Sequence, residues 1–390
     1  MKILELRDAD GPGGGPEKTI LHGAGLADTS RFDITVCYLR RQWDQDQTIS
    51  SRAAKLGINY TELRQSSRWD RGLWRNLREF VQRERFDIVH SHDYKSDFYN
   101  LMLAKREGTI PLATAHGWTG HSRRERWIYY PLEKISLRTF PIVICVSSDI
   151  ATALRKYSIT EDKLRIIPNG IDPDQYRRDA AQLKVNRERW GCQNEEYVIG
   201  SVGRLEPQKR FDLLIESFAP IHREFPRTRL LIAGEGSQRQ SLQSLVDRLH
   251  LSDVCRLVGH CSQITQFYQA LDLYVQSSDY EGTPNVVLEA MAMEVPVVAT
   301  DAGGTSDILT NGTDGIIVPI RDAESLTKAI GLCLNQPELT RNRVLSARKK
   351  VESDLNFVNR VRRVEQIYES LYCDRYLQAT RELLVKQAPT

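Results

Sequence analysis

The sequence predicts an α/β protein with two Rossmann-like, doubly wound domains that face each other across a cleft. Three observations lead to this prediction. The chain has 390 residues, a length that favours two domains. Buried strand patterns alternate with helical patterns in both halves, as they do in parallel sheets. A polar stretch near residues 174–196 separates the halves, so we assign residues 1–180 and 181–360 to the two domains and residues 361–390 to a terminal amphipathic helix.

Composition and cysteine usage limit the class of protein. The chain is 41% hydrophobic and 27% charged, as globular proteins are, and no apolar run approaches the length of a membrane span. The seven cysteines are scattered, so we expect a reducing, cytoplasmic location and no structural zinc site. The N-terminus enters a strand pattern directly, unlike a signal peptide.

The net charge of +3 is unevenly distributed. Residues 1–180 contain 29 Lys and Arg against 24 Asp and Glu, whereas the remainder contains 25 against 27. A basic first half suits a phosphorylated or membrane-surface partner, and it is equally typical of a solvated surface. Residues 121–140 combine basic and aromatic side chains, which fits either a helix at a lipid surface or a helix with one basic and one buried face.

The first half contains a glycine-rich loop after its first strand. Strands are predicted at residues 2–7, 32–40, 58–64, 86–93, 111–118 and 141–148. Gly13, Gly14 and Gly15 let a ligand approach the backbone closely, or they form a flexible turn before a helix that starts near Pro16. The loop lacks the spacing of a dinucleotide-binding fingerprint and the lysine of a nucleoside-triphosphate loop.

Histidines follow two of these strands. His90, His92 and Asp93 end one strand, and His116 follows another, at the sheet edge where such folds bind ligands. His90 and His92 are a weak metal signal, because alternate strand residues point to opposite faces. His116 fits a proton relay, a phosphate donor or a buried structural group.

The second half begins with a strand at residues 197–203, followed by two cations. Arg204 and Lys209 flank the turn into a helix, where they can neutralise a diphosphate or serve as ordinary surface charges. Further strands are predicted at residues 229–237, 254–260, 271–278 and 294–300.

The segment 280–300 combines two glutamates with a predicted helix start. Thr283 is the predicted N-cap and Pro284 the first helical residue. The amides of the next three residues, Asn285, Val286 and Val287, would then be open to an anion. Glu281 would lie at the edge of the cleft, and Glu289 would accept hydrogen bonds from hydroxyl groups. The alternative is an ordinary helix–strand unit with surface glutamates.

Together these residues favour an anionic, hydroxylated ligand such as a nucleotide diphosphate. The sequence contains no serine elbow or Cys/His pair for acyl transfer and no acid cluster for a hard metal. We therefore expect group transfer with a phosphate leaving group, stabilised by positive charge.

The sequence closely resembles the family-four retaining glycosyltransferases of the GT-B fold, also called glycosyl transferases group 1. The matching segments follow the family's order across almost the whole chain: GGGPEKTI, DIVHSHD, TAHGW, IPNGID, VGRLEPQKRFDLLIESF, AGEGS, LVGH and YEGTPNVVLEAMAMEVPVVATDAGG. The combination of the two glutamates with the upstream Gly-Arg-Leu and lysine is the most specific part of the resemblance.

The resemblance implies a role for each candidate residue. Arg204 and Lys209 match the cations that hold the donor diphosphate, and Glu289 matches the acceptor of the ribose hydroxyls. Glu281 matches the acid beside the donor sugar. Gly282 and Thr283 match residues whose amides lie under the sugar, and Pro284 and Asn285 belong to the same donor-binding turn. Gly14 and Gly15 match the loop that closes over the phosphates. His116 matches a histidine that faces the sugar.

The family implies retention of the anomeric configuration, no metal and no other cofactor. The leaving phosphate would act as the base, and His116 would position or stabilise rather than attack. The last helix of the family packs back on the N-terminal domain, which the tail at residues 361–390 fits. Here Pro16 and an extra glycine depart from the usual loop, so the resemblance leaves open which of Gly13, Gly14 and Gly15 contacts the donor.

The resulting prediction is transfer of a sugar from a UDP- or GDP-sugar to a glycan or lipid-linked glycan, in cell-envelope polysaccharide or lipopolysaccharide biosynthesis. We expect a cytoplasmic enzyme with peripheral contact at the inner membrane face and no nucleic-acid partner. Two other hypotheses are a nucleotide-sugar epimerase, which needs no acceptor, and a sugar-nucleotide sensor without activity. The missing glycine fingerprint disfavours an NAD-linked dehydrogenase.

Overall fold

The chain folds into two compact units. The computed structural model describes residues 1–67, 70–118 and 124–387, without the side chains of residues 125, 126, 376 and 378–387. The first unit comprises Met1–Ile167 and the chain from Arg360 onward, and the second comprises Pro168–Asn359. Each unit contains a parallel sheet with helices between its strands, so the predicted class of two doubly wound α/β domains is confirmed.

The sheet of the first unit has seven parallel strands in the order β3-β2-β1-β4-β5-β6-β7. The strands are β1 (Lys2–Asp8), β2 (Asp33–Arg41), β3 (Asn59–Gln65), β4 (Ile88–Ser91), β5 (Ile110–Ala115), β6 (Ile142–Cys145) and β7 (Leu164–Ile166). Six of them lie where the sequence predicts strands. The sequence did not identify β7, a three-residue edge strand that is too short to give a periodic pattern.

The sheet of the second unit has six parallel strands in the order β10-β9-β8-β11-β12-β13. The strands are β8 (Tyr197–Val202), β9 (Thr228–Ala233), β10 (Cys255–Gly259), β11 (Leu273–Gln276), β12 (Val297–Thr300) and β13 (Ile316–Val318). β11 and β12 are buried along their whole length, which explains their continuous apolar sequences.

Helices cover both sheets. In the first unit they are α1 (Gly15–Leu26), α2 (Thr48–Leu56), α3 (Arg71–Glu84), α4 (Tyr94–Glu107), α5 (Tyr130–Ser136) and α6 (Ser148–Arg155). In the second unit they are α7 (Leu183–Arg189), α8 (Phe211–Glu224), α9 (Arg239–Arg248), α10 (Ile264–Gln269), α11 (Asn285–Ala292), α12 (Thr305–Ile308), α13 (Ala323–Asn335) and α14 (Pro337–Glu352). A one-turn π-helix, Glu125–Tyr129, leads into α5, and the long α15 (Phe357–Gln387) ends the described chain.

The terminal helix α15 contributes to the core of the first unit. Val364, Ile367 and Leu371 are buried on one side of the helix and pack in a cluster with Ile3 and Ile88 of the sheet. This spacing of three and four residues is the amphipathic pattern of the tail sequence.

The division between the units lies after Ile167, whereas the sequence pattern predicts it after residue 180. The intervening segment is bound to the second unit. The amide of Ile171 donates to the carbonyl of Leu355, and the Ile171 side chain is buried in the core that includes α11. No long linker separates the units. The chain crosses at the short turn Pro168-Asn169-Gly170, which does not differ in sequence from a turn inside a domain.

Candidate active site

Both sheets reverse their strand order beside their first strand. β1 lies between β2 and β4, and β8 lies between β9 and β11. Ligands of doubly wound sheets bind beyond the carboxyl ends of the strands at such a switch point. The candidate residues lie at these two edges. His116 and Gly14 belong to the first unit, whereas Lys209, Glu281 and Glu289 belong to the second.

Lys209 and Glu281 form an ion pair at the switch point of the second sheet. The Lys209 Nζ atom lies 2.5 Å from Glu281 Oε1, and the hydroxyl of Ser278 donates to the same oxygen at 2.6 Å. The Lys209 and Glu281 side chains are 16% and 10% exposed. The sequence-predicted cation and acid are therefore in direct contact.

Further hydrogen bonds fix the two loops that carry this pair. The hydroxyl of Ser277 donates to the Lys209 carbonyl at 2.8 Å, and the side-chain amide of Gln208 donates to the Tyr280 carbonyl at 2.6 Å. The loop after β8 and the loop after β11 are thus held together through backbone and side-chain contacts. The ammonium group has little freedom to leave the edge of the sheet.

Arg204 is the second predicted cation, and it lies on the same loop as Lys209. Its side chain is exposed, and within the described part of the chain its guanidinium makes no hydrogen bond or ion pair. The backbone below it is close-packed. A Cβ atom on Gly234, whose φ is +145°, would lie 1.8 Å from the Gly203 carbonyl oxygen. Only glycine fits there, so the loop after β9 supports the loop that carries both cations.

A glycine pair also holds the backbone of Glu281. Gly303 has a φ of +61°, and a Cβ atom there would lie 2.2 Å from the Glu281 carbonyl oxygen. The amide of Gly304 donates to the same oxygen at 3.3 Å. The DAGG segment after β12 therefore fixes the backbone that carries the Glu281 side chain.

The helix start at α11 differs from the prediction. The N-cap is Pro284, with φ −75° and ψ 96°, and the first helical residue is Asn285, so the assignment of Thr283 as N-cap is wrong. The Thr283 hydroxyl instead accepts the amide of Asn169 at 3.2 Å. The amide of Val287 donates to the Pro284 carbonyl at 3.0 Å and is not open to a ligand.

The Asn169 side chain reaches the same turn. Its amide donates to Oδ1 of Asn285 at 3.0 Å. Of the three helix-start amides predicted to be open, those of Asn285 and Val286 donate to no backbone carbonyl in the described chain. The positive end of a helix with open amides favours an anion, and that part of the prediction fits the structure.

Glu289 is buried between two tyrosines. Tyr268 donates its hydroxyl to Oε2 at 3.0 Å, and the Tyr176 hydroxyl lies 3.4 Å from Oε1. Burial, together with the nearby Glu289 carboxylate, raises the pKa of Tyr268 well above its ordinary value. The hydroxyl therefore stays protonated and can donate. Neither tyrosine was identified from the sequence, because both lie outside the recognised segments.

In the first unit, Glu17 occupies the start of α1. Its Oε2 accepts the amide of Gly14 at 2.5 Å, and its Oε1 accepts Arg7 Nε at 2.6 Å. Burial alone would raise the pKa of Glu17, but the adjacent Arg7 and the Gly14 amide lower it below its ordinary value. A ligand phosphate at Gly14 would therefore meet an ionised carboxylate. Neither Arg7 nor Glu17 was identified as a site residue from the sequence.

His116 ends a chain of buried polar side chains. Its Nε2 lies 3.0 Å from Nδ1 of His92, and the other ring nitrogen of His92 contacts Oε2 of Glu5. The second Glu5 oxygen accepts the hydroxyl of Tyr368, from α15, at 2.6 Å. The sequence pointed to the histidines but not to Glu5 or Tyr368. The only sequence signal for Glu5 was its position as a charged residue within an otherwise apolar, buried strand pattern.

Glu5, His90 and His92 have the spacing of a metal-ligand group, because one ligand atom of each lies within 4.8 Å of the others. Their nitrogens already have protein partners. His90 lies 2.8 Å from the Tyr368 hydroxyl and 2.7 Å from the Thr114 hydroxyl, and both nitrogens of His92 are hydrogen-bonded. A metal would have to break these bonds, so the geometry fits a hydrogen-bonded network better than a metal site.

The segment around α5 exposes apolar side chains. Trp127 is 76% exposed, and Ile128, Leu132 and Ile135 are each at least half exposed. The basic residues that the sequence analysis assigned to this segment at 121–123 lie outside the described residues. In the described chain, no helix combines the length and apolar character needed to cross a membrane.

Comparisons with known families match both halves of the chain. Residues 184–350 match the family model "Glycosyl transferases group 1", and residues 13–175 match "Glycosyltransferase Family 4". The chain is 30% identical over 287 residues to the putative glycosyltransferase EpsD of Bacillus subtilis, covering 71% of this chain and 75% of that protein.

A second relative and a solved structure extend these matches. The chain is 24% identical over 307 residues to the UDP-Gal:alpha-D-GlcNAc-diphosphoundecaprenol alpha-1,3-galactosyltransferase of Escherichia coli, covering 75% of this chain and 78% of that protein. The crystal structure of Anabaena HepE in complex with UDP has a TM-score of 0.83 at 19% identity, covering 95% of this chain and 100% of that one, and shows the same fold. The chain therefore belongs to the group 1, family-four glycosyltransferases with the GT-B fold.

Proposed function

We propose that this chain transfers a sugar from a UDP- or GDP-sugar to a glycan or lipid-linked glycan, with retention of configuration and without a metal. The observation that carries the proposal is the Lys209–Glu281 ion pair at the switch point of the second sheet. It brings together a cation for a phosphate and a carboxylate for a sugar hydroxyl, beside the open end of α11.

The donor diphosphate would bind to Arg204 and Lys209. Arg204 is exposed on the same loop and can make two parallel bonds to phosphate oxygens. Lys209 would share its charge between the diphosphate and Glu281. As the bond to the sugar breaks, negative charge grows on the leaving phosphate, and two nearby cations stabilise it.

The sugar and nucleoside would contact the segment between β11 and α11. Glu281, with the turn at Gly282, Thr283, Pro284 and Asn285, would contact the donor sugar and its phosphates. Glu289 would accept hydrogen bonds from the ribose hydroxyls, in a position fixed by Tyr268. From the first unit we assign Gly14 and Gly15 to the phosphates, which requires the Gly14 amide to exchange its bond to Glu17 for one to the ligand. We assign His116 to the sugar, where it positions or stabilises rather than attacks. The leaving phosphate would serve as the base for the incoming hydroxyl.

The name of the Escherichia coli relative includes a lipid diphosphate acceptor, and a further relative, from Staphylococcus aureus, is named as a capsular polysaccharide biosynthesis glycosyltransferase. These names support a role in cell-envelope polysaccharide or lipopolysaccharide synthesis. The exposed apolar side chains of Trp127, Ile128 and Leu132 would contact the membrane that holds such an acceptor.

The first experiment is a panel of nucleotide sugars tested for thermal stabilisation in the presence of EDTA. A bound donor stabilises the folded protein by mass action, so the true donor should raise the Tm more than its free nucleoside monophosphate does. Donors that bind are then tested for hydrolysis and for transfer to acceptor sugars. Conversion of the donor into an isomer without acceptor would favour an epimerase. Binding without turnover on any acceptor would favour a sensor.

A further inference from the structure

The hydrogen bonds around Glu5 fix the position of every proton in the His116 chain. The two oxygens of Glu5 accept the Tyr368 hydroxyl at 2.6 Å and Nε2 of His92. A carboxylate without a proton can only accept, so the proton in the second contact lies on His92 Nε2. A neutral His92 then has an unprotonated Nδ1, and the proton between the two rings must belong to His116 Nε2.

The opposite arrangement would need a protonated Glu5, and the environment argues against it. Burial on its own would raise the pKa of Glu5, but the two adjacent histidines, His90 and His92, lower it well below its ordinary value. Burial lowers the pKa of His92 to about 4. Burial, followed in size by the effect of His92, also lowers the pKa of His116 well below its ordinary value. At neutral pH both imidazoles are therefore neutral.

This leaves one nitrogen of His116 as an acceptor. With the proton on Nε2, the Nδ1 atom carries a lone pair, and it has no partner within the described residues. His92 is buried, whereas His116 is partly exposed as a residue, so His116 forms the outer end of the network. Such an atom accepts a hydrogen bond from a hydroxyl group but cannot donate one to a phosphate.

We propose that Glu5 sets the tautomer of His116 through His92, so that His116 presents Nδ1 as an acceptor to a hydroxyl group of the sugar substrate. Glu5 is then a positioning residue, two side chains away from the ligand. The assignment of the ligand rests on the proposed function, whereas the tautomer itself does not. A carboxylate that holds an imidazole in one tautomer plays the same part in hydrolases with a Ser-His-Asp triad.

The test is the protonation pattern of the His116 ring in the ligand-free, full-length protein labelled with ¹⁵N-histidine. The chain has eight histidines, so the His116 signals are assigned as those lost in His116→Gln. Two-bond proton–nitrogen correlations distinguish the two tautomers. We expect a proton on Nε2 and none on Nδ1. A proton on Nδ1 in the wild-type protein would overturn the proposal, and this measurement needs no variant that alters the network.

Glu5→Gln tests the direction of the coupling. The glutamine amide can either accept from or donate to His92, so it no longer enforces one tautomer, and the Nδ1-protonated form of His116 should become detectable. Thr114→Val is the matched control: it removes the hydroxyl that contacts His90 in the same cluster but does not touch the path from Glu5 to His116. An unchanged His116 pattern in Glu5→Gln, or an equal change in Thr114→Val, would overturn the proposal.

Turnover provides the functional part of the test. In Glu5→Gln we expect kcat for sugar transfer to fall roughly tenfold to a hundredfold, as when other carboxylates that orient a histidine are replaced. The affinity for free UDP or GDP should change less than about twofold, because the nucleotide contacts do not depend on the tautomer. Unchanged kcat with an altered tautomer would overturn the substrate role. A wild-type protein without transferase activity would instead contradict the proposed function.

Discussion

The ammonium group of Lys209 lies 2.5 Å from Oε1 of Glu281, and the Ser278 hydroxyl donates to the same oxygen. Without a ligand, Glu281 therefore neutralises the cation that we assign to the donor diphosphate. The two residues have opposite effects on phosphate binding, although both belong to one site. Replacing Lys209 and replacing Glu281 should therefore change phosphate affinity in opposite directions.

Glu281→Gln should reduce sugar transfer without weakening the binding of the free nucleotide. Removing the carboxylate leaves the Lys209 charge uncompensated, so the affinity for UDP or GDP should stay the same or rise. Turnover should fall about a hundredfold, the size expected when a contact to the reacting sugar is lost in the transition state. Calorimetry measures the affinity for the nucleotide, and initial rates measure the turnover. A loss of nucleotide affinity in this variant would contradict the assignment of Glu281 to the sugar.

Glu289→Gln should weaken nucleotide binding only when the ribose hydroxyls are present. Loss of a charged acceptor for two hydroxyls should cost about 1.5–3 kcal/mol of binding free energy. With a 2′,3′-dideoxy nucleotide, the variant and the wild-type protein should bind equally. Tyr197→Phe is a suitable control, since Tyr197 is a partly buried tyrosine of the same unit whose hydroxyl contacts Asp272 instead. An equal loss of affinity for both nucleotides would show that Glu289 does not bind the ribose hydroxyls.

Tyr268→Phe should reproduce part of this effect. The variant removes the hydroxyl whose single proton is shared between Oε2 of Glu289 and the carbonyl of Val286, while the ring remains packed in the core. We expect a smaller loss of affinity for the ordinary nucleotide, about 1 kcal/mol, and again none for the dideoxy form. Wild-type affinity for both nucleotides would show that Tyr268 does not position Glu289.

Glu133 should make the stability of the protein fall as the pH rises. Burial raises the pKa of Glu133 from 4.5 to about 8, against the opposing effect of the hydrogen bond from Trp118. The folded state therefore holds a proton that the unfolded state has lost. The stabilisation is complete below pH 4.5 and is lost as the pH rises through 8.

Glu133→Gln removes this dependence while keeping an acceptor for Trp118. The free energy of unfolding of the variant, relative to the wild-type protein, should rise between pH 5 and pH 8 by up to about 4 kcal/mol. The pKa of Asp97 is raised by burial and by the nearby Glu133 carboxylate, so Glu133→Gln is also made in an Asp97→Asn background, where the difference between the two urea-unfolding curves reports Glu133 alone. If the unfolding free energies of the variant and the wild-type protein changed equally with pH, the raised pKa of Glu133 would be contradicted.

Trp127→Ser combined with Ile128→Ser should reduce binding to vesicles of phosphatidylglycerol and phosphatidylethanolamine. Both side chains are at least half exposed, and aromatic and aliphatic groups beside basic residues insert at the lipid headgroups. Trp43→Ser is the matched control, because Trp43 is 71% exposed in the same unit but lies outside this segment. Equal sedimentation of all three proteins with the vesicles would argue against a membrane role for this surface.

The sequence predicted most of the fold because parallel strands are buried on both faces. Continuous apolar runs such as the one at β12 are easily recognised, and they located all strands except those too short to give a pattern. Helix starts were harder to assign. Thr283 is a residue type that commonly caps helices. Its hydroxyl instead accepts a hydrogen bond from the amide of Asn169, which is distant in sequence. The helix therefore begins one residue later than predicted.

The partners of the candidate residues could not be predicted in the same way. Tyr368 reaches Glu5 across 363 residues of sequence, and Tyr176 reaches Glu289 across 113. No local pattern encodes such contacts, because they depend on how helices dock on the sheet. The motifs identified Lys209 and Glu281, but the contact between them follows only from the adjacency of β8 and β11.

The most direct test of the account compares sugar transfer by Lys209→Ala and Lys328→Ala. Lys328 pairs with Glu324 on an exposed surface of the same unit, so its replacement removes an equivalent charge away from the switch point. With the donor identified by the thermal screen, we expect Lys209→Ala to lose at least about a hundredfold in kcat/KM and to bind the nucleotide diphosphate weakly. Lys328→Ala should retain wild-type values. Transfer by folded Lys209→Ala at the wild-type rate would contradict the diphosphate site on which the proposed function rests.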